Sequence, residues 1–269
     1  MAHAGTDDPA PGTPGWWRAR AARDAEATGS GSGSGQPRRG RPPRSVERIV
    51  ETAAELVDEV GTGTFSMRLL AERLGTGTAT LYRHFAGKDE LMVFVVDQLF
   101  AEAGAAAAAA GAGGGEAGGR PPTWQDAARR ASFGFRRLLA RHPNVLPLLV
   151  TQVPIGPNVM AARERTVATL VGFGFSPRLA ARAYTTIAHY VVGFAIQQHA
   201  PGAPGPEDAA ALGDFYRALD PGRYPYTVAA SDALTAVSLE EEFTEGLEFI
   251  LDGIDRVLTT DRTREPPPG

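Results

Sequence analysis

Apolar residues return every third or fourth position along most of this chain, and the places where that rhythm stops divide it into helices. Between Ser45 and Val60 the set Ile49, Ala53, Leu56, Val57 and Val60 shares one helical face, with Ser45 in the N-cap position and Gly61 to Gly63 as the stop. A second period, "FSMRLLAERLG", has Ser66 as N-cap, Leu69, Leu70 and Leu74 facing inward, and Gly75 where the helix should end. After a turn of a few residues a third short helix is predicted from about Thr78 to Phe85, with Leu81 and Phe85 inward. "DELMVFVVDQLFAEAGAAAAAA" then continues as a long helix until the glycine-rich run Gly111 to Pro122.

The second half keeps the same period. "WQDAARRASFGFRRLLARHP" is followed by a short segment around Val145 to Thr151 and by a helix from Asn158. Another helix has Ser176 as cap and Pro177 as its first residue, and a last one starts at Ser238. Phe243, Leu247, Ile250, Leu251, Ile254 and Leu258 make a stripe on that last helix too broad for an isolated surface helix. "YTTIAHYVVGFAI" is apolar nearly all round and needs partners on two sides. No alternating pattern competes, so an all-α fold is expected: an N-terminal three-helix helix-turn-helix domain plus a larger helical C-terminal domain.

Composition adjusts this picture at the N-terminus. Residues 1–44 are rich in Gly, Pro, Ala and Ser and include "GSGSGSG", which cannot bury enough apolar surface to offset chain entropy. They read as a disordered Gly/Pro/Arg-rich arm, within which "GWWRARAARDAEA" is compatible with a short helix carrying Trp16 and Trp17 at one end, of open meaning and most simply a nascent solvated helix. The arm closes on Arg38, Arg39, Arg41 and Arg44, which serve equally as a solvated linker or as phosphate and minor-groove contacts. The expected division is 1–44 arm, 45–92 helix-turn-helix, 93–262 ligand-binding and dimerisation domain, and 263–269 disordered tail.

Charge and residue usage narrow the chemistry. There are no cysteines among the 269 residues, which excludes disulfide scaffolds and thiolate metal sites and fits a cytoplasmic protein. No export signal and no run of about 20 apolar residues is present, so no membrane partner is expected. The net charge of −4 argues against a wholesale polyanion binder and confines any nucleic-acid site to a local patch. Five scattered histidines lack metal spacing, and Glu240, Glu241 and Glu242 point around their helix rather than converging. Neither catalysis, a metal nor a cofactor is expected.

Such a patch exists. In a helix-turn-helix the last short helix enters the major groove, and its first residues must be small for the backbone to approach base edges. Thr78, Ala79 and Thr80 meet that demand. Tyr82 and Arg83 reach phosphate or base, Lys88 sits where a phosphate would lie, and no acid falls between Thr78 and Lys88.

The segment "FSMRLLAERLGTGTATLYRHFAGKDEL" resembles the DNA-binding domain of the TetR family of bacterial transcriptional repressors. The shared pattern is Thr80, Leu81, Tyr82, His84, Phe85, Lys88 and Leu91. The resemblance implies a homodimer reading a palindromic operator, with DNA-contact roles at Arg68, Thr78, Ala79, Thr80, Tyr82, Arg83 and Lys88; His84 is a DNA-side candidate as a packing or phosphate-proximal residue rather than a base reader, and Arg44 is a candidate from the basic end of the arm. "RHPNVLPLL", "GFSPRLAARAY", "YVVGF" and Phe243 to Ile254 resemble the C-terminal domain of the family's tetracycline-repressor branch. That implies a small organic effector enclosed by helices and a four-helix dimer interface. The branch's metal-drug ligands, two histidines and an acid, do not carry over: Gly104, Gln197 and the stretch Leu149 to Gln152 stand in their places. Phe135, Gln152, His189 and Gln197 remain candidate effector contacts, each equally open to a packing role. The resulting expectation is a repressor released by its effector; an activator or an effector-free architectural protein are the rival readings.

Overall fold

The computed structural model describes residues 9–29, 46–112, 122–151, 153–199, 205–235 and 238–264. Among them the chain forms helices throughout and no strand. In order they are α1 (Pro14–Gly29), α2 (Val46–Thr64), α3 (Met67–Leu74), α4 (Thr78–Tyr82), α5 (Lys88–Ala112) and α6 (Trp124–Arg141). A 3-10 turn (Pro143–Val145) leads into α7 (Leu146–Thr151) and α8 (Pro157–Gly172), then α9 (Pro177–His199), α10 (Pro206–Arg217), α11 (Pro225–Ala229), α12 (Ser231–Thr235) and α13 (Leu239–Arg264). The helices fall into two units, one made of the residues up to 120 with Arg137–Thr166, the other of 121–136 with 167–269.

In the first unit, α2 buries Ile49, Val50, Ala53, Leu56 and Val57 on one face, and its regular geometry breaks at Gly61, where φ is 74°. A residue with a side chain would be strained there, which is why the break falls on glycine. α3 is capped as its sequence suggests: Ser66 Oγ accepts from the Leu69 N–H at 3.2 Å, and Gly75 closes the helix in the left-handed region at φ 59°. α5 runs through the unit's core with Leu91, Met92, Val93, Val95, Val96 and Leu99 buried, together with two acids, Glu90 and Asp97.

Asp97 shows how this core is organised. α8 begins after Gly156, which has no side chain to cap it, and the carboxylate of Asp97 reaches across from α5 in that role. It accepts from the backbone N–H of Asn158 at 3.0 Å and of Val159 at 3.1 Å, and from Asn158 Nδ2 at 2.8 Å. A Cβ at residue 156 would overlap the Asp97 carboxylate and come within 2.9 Å of its Cβ, so glycine is required by space alone. Farther along, His142 lies between Asp58 of α2 (Nδ1 at 2.6 Å) and Glu102 of α5 (Nε2 at 3.1 Å), and Asn144 Nδ2 donates to the Asp58 carbonyl at 2.9 Å.

Two observations bear on the expected division. Arg137–Thr166, inside the expected stretch 93–262, groups with the first unit, and His142, Asn144 and Asn158 bond to α2 and α5. Part of the stretch 1–44 expected as an arm is helical. α1 is a helix of 16 residues whose Trp16 is 6% exposed and packs against Phe94, far along the chain on α5. The remainder of that stretch, including Arg38 to Arg44, and the tail 265–269 lie outside the described residues.

In the second unit, α13 is the spine. Phe243, Leu247, Leu251 and Leu258 are buried, while Ile250 and Ile254 are half-buried. Trp124 packs edge-on to Phe175 at 5.1 Å and donates its indole N–H to Asp255 at 3.1 Å. Arg129 grips Glu248 with two hydrogen bonds of 2.6 Å. Ser176 caps α9, accepting from the Leu179 N–H at 3.3 Å while donating to Asp261 at 2.8 Å. Tyr190 stacks on Phe243 at 5.3 Å and passes so close to Gly246 that no side chain fits there.

Candidate nucleic-acid interface

α3 and α4 are joined by the three residues Gly75 to Gly77, and the pair is held to the core by Leu70, Leu74, Leu81 and Phe85. α4 has only five residues and ends at Tyr82 rather than running to Phe85. The cause lies in the next helix: the Glu90 carboxylate accepts from the Ala86 N–H at 2.5 Å, which ends helical bonding and starts α5. With Leu81 fully buried, the opposite side of α4 is turned outward. Thr78, Ala79, Tyr82 and Arg83 are exposed, and Thr80 and His84 are half-buried. Thr78, Ala79, Tyr82 and Arg83 thus share one outward face, opposite Leu81.

Cations around this face differ in how far they are already occupied. Arg68 is exposed and paired with Glu72 one turn on, at 2.9 Å. Arg73 makes two hydrogen bonds to Glu59, at 2.8 and 2.5 Å; that guanidinium holds the Glu59 carboxyl below the usual carboxylate range. Arg83, the C-cap of α4, is exposed and has no carboxylate partner among the described residues. Lys88 is turned inward. Its ammonium donates to the carbonyls of Thr62 at 2.6 Å and Phe65 at 3.1 Å, so two of its three donors tie α5 to the α2–α3 connection. Arg44 lies outside the described residues.

Of the candidate effector contacts, Phe135 on α6 is half-buried, His189 and Gln197 on α9 are exposed, and Gln152 lies outside the described residues. What sequence reading missed in this unit is a cluster around Arg136. Its guanidinium lies 4.6 Å from the Phe243 ring centre and 5.2 Å from that of Phe194, and it donates to Gln198 at 3.4 Å. Tyr190 joins the same cluster, its hydroxyl pushed above the ordinary range by burial. No local motif could have announced it, because its members come from three separate helices, α6, α9 and α13. Among the described residues no group of acids and histidines is arranged to hold a metal ion, and no helix is long and apolar enough to cross a membrane.

Two short helices joined by a glycine-containing turn, the second turned outward and braced by buried leucines, have the architecture of a helix-turn-helix. Residues 49–93 match the family model for "Bacterial regulatory proteins, tetR family", and residues 118–258 match that for "Tetracyclin repressor-like, C-terminal domain". The chain is 31% identical to the transcriptional repressor DrrR1 of Streptomyces coeruleorubidus over 87% of its own length and 85% of that protein's. It is 28% identical to the class D tetracycline repressor of Escherichia coli, covering 79% and 90% of the two chains. Apo ActR from Streptomyces coelicolor superposes with a TM-score of 0.70 at 27% identity over 82% of this chain and all of that one. ActR in complex with actinorhodin gives 0.67 at 29% over 79% and 97%. This chain belongs to the TetR family of transcriptional regulators.

Proposed function

We propose that the protein is a cytoplasmic, homodimeric repressor that binds a palindromic operator through α4 and is released by a small organic effector held in the helical body. The observation that carries the reading is the face of α4: Thr78, Ala79, Tyr82 and Arg83 are exposed on a helix whose Leu81 is fully buried, so small side chains meet base edges without disturbing the core. Thr80 and Arg83 specify sequence, and Tyr82 contacts phosphate. Dimerisation is supported by α13, which carries a second apolar side beyond its buried stripe, with Phe249 and Val257 exposed. Release by an effector is supported by the relatives, since ActR is seen in complex with actinorhodin.

Selection of bound sequences from random duplex DNA, followed by titration of the selected duplex, tests the DNA half. A palindrome with half-sites about one helical turn, roughly 34 Å, apart is expected. A screen of small organic molecules for release of labelled duplex tests the other half. Coupling of this kind is on the order of 1 to 3 kcal/mol, and linkage requires the duplex to weaken effector binding by the same factor. An effector whose affinity is unchanged by duplex would overturn release while leaving DNA binding intact.

A further inference from the structure

Neither family model includes α1, since the first begins at residue 49. Yet this helix is seated on the DNA-reading head. Trp16 and Trp17 meet edge-on at 4.8 Å, and both lie against Phe94 of α5, at 5.8 and 5.6 Å. Phe94 in turn meets Phe85, the buried residue that follows the recognition helix, at 5.4 Å. Arg20 completes the seat: its guanidinium stacks 4.5 Å from the Phe94 ring centre, and Nη1 donates to Glu90 Oε1 at 2.7 Å.

The other oxygen of that carboxylate, Oε2, accepts from the Ala86 N–H and so ends the recognition segment. Glu90 is 7% exposed, which leaves its charge little water to replace a missing partner. Without Arg20 the carboxylate loses that charged partner in a site with little water and is drawn toward solvent, which weakens its hold on Ala86. Two routes, one through stacked rings and one through a carboxylate, thus run from α1 to the same turn.

We propose that α1 is an intramolecular brace for the DNA-reading head, and that Arg20 is a positioning residue which, through Glu90, fixes where α4 ends and α5 begins. The inference rests on the operator-binding reading above. Arg20 itself touches no DNA. Its removal changes the pose of Thr78 to Arg83 rather than the number of phosphates neutralised.

The test uses the full chain and a duplex selected on it from a random library. Failure of the wild-type chain to select any duplex would sink the operator reading itself, and is thereby told apart from failure of the brace. Given a selected duplex, Arg20→Ala is expected to weaken binding about tenfold with an unchanged salt slope, and Arg20→Lys to recover most of the loss. In a Glu90→Ala background, Arg20→Ala should add little, because the path it acts through is gone. Amide exchange at Ala86 should be faster in Arg20→Ala than in the wild type, a readout that serves for Arg20→Lys too should the alanine variant fail to fold. Binding within twofold of wild type, or unchanged exchange at Ala86, overturns the brace. A salt slope flattened by about 0.9 would instead make Arg20 a phosphate contact.

Discussion

Replacing Asp97 should be among the most damaging single changes in the first unit, and the reason can be worked through from its hydrogen bonds. Asp97→Ala removes a 5% exposed carboxylate and leaves three donors without it: the N–H groups of Asn158 and Val159 and the amide of Asn158. Loss of an ordinary N-cap costs about 1 to 2 kcal/mol, and stranding buried donors adds about 1 to 3. A total of about 2 to 5 kcal/mol follows, where most surface changes stay within about 0.5. Asp97→Asn keeps one acceptor oxygen but loses the charge that favours a helix N-terminus, so roughly a third to a half of that loss is expected. Gly156→Ala attacks the same contact from the other side, since the added Cβ must displace the carboxylate. Urea denaturation followed by circular dichroism measures all three. Because the two sites share one contact, Asp97→Ala combined with Gly156→Ala should cost clearly less than the sum of the singles. Strict additivity, or a loss below about 1 kcal/mol for Asp97→Ala, would refute the idea that α5 caps α8.

Three further outcomes are expected. The Arg129 guanidinium holds the Glu248 carboxyl below its ordinary 4.5, and a depressed folded-state value means stability that is present above the unfolded value and lost as pH falls through the folded one. Urea midpoints should therefore drop more between about pH 5 and 3 in the wild type than in Glu248→Gln, by on the order of 0.5 to 1 kcal/mol, because Glu248 is over a third exposed. In competition titrations against operator variants, Arg83→Ala should relax preference at one base pair, by about 1 to 3 kcal/mol, whereas Tyr82→Ala should weaken all variants alike; uniform weakening for Arg83→Ala would reduce it to a phosphate contact. Changing Arg38, Arg39, Arg41 and Arg44 together to Gln should flatten the salt dependence by roughly 0.9 in log-log slope for each phosphate that is no longer neutralised. Substitution is the right perturbation there, since deleting residues 1–44 would also remove α1, and an unchanged slope would leave those arginines as a solvated linker.

What could be read from sequence was whatever is decided within a turn or two of chain. Ser66, Gly75 and Ser176 cap their helices where the local pattern puts them, because a cap bonds to residues two or three positions away. Thr78 and Ala79 are exposed on α4 for the same reason: burial of Leu81 and Phe85 at helical spacing determines the opposite face. Contacts between distant residues were out of reach. Trp16 and Trp17 looked like the apolar end of a solvated helix because Phe94 is far off in sequence. Nothing local marks the role of Asp97, whose partner Val159 N–H is 62 residues away, or of Glu90, whose partner Arg20 is 70 residues back. Lys88 has the spacing of a phosphate contact, but only the fold reveals that the carbonyls of Thr62 and Phe65 lie within its reach. His189 and Gln197 share an apolar-looking helix with buried Val191 and Ala195, and the phase of that helix turns them outward.

The division into units passes through the middle of two helices, between Arg136 and Arg137 in α6 and between Thr166 and Val167 in α8. Neither unit is therefore a single stretch of chain, and no one cut separates them. Grafting this DNA-reading head onto a relative's ligand-binding half by joining the chains after α5 would leave behind the 3-10 turn, α7 and the start of α8, and with them the partners of Asp58, Glu102 and Asp97. A working chimera needs Arg137–Thr166 carried along with the head as an insert. For evolution the same constraint means that the two units of this chain are exchanged less readily by recombination at one junction than changed by point substitution within each.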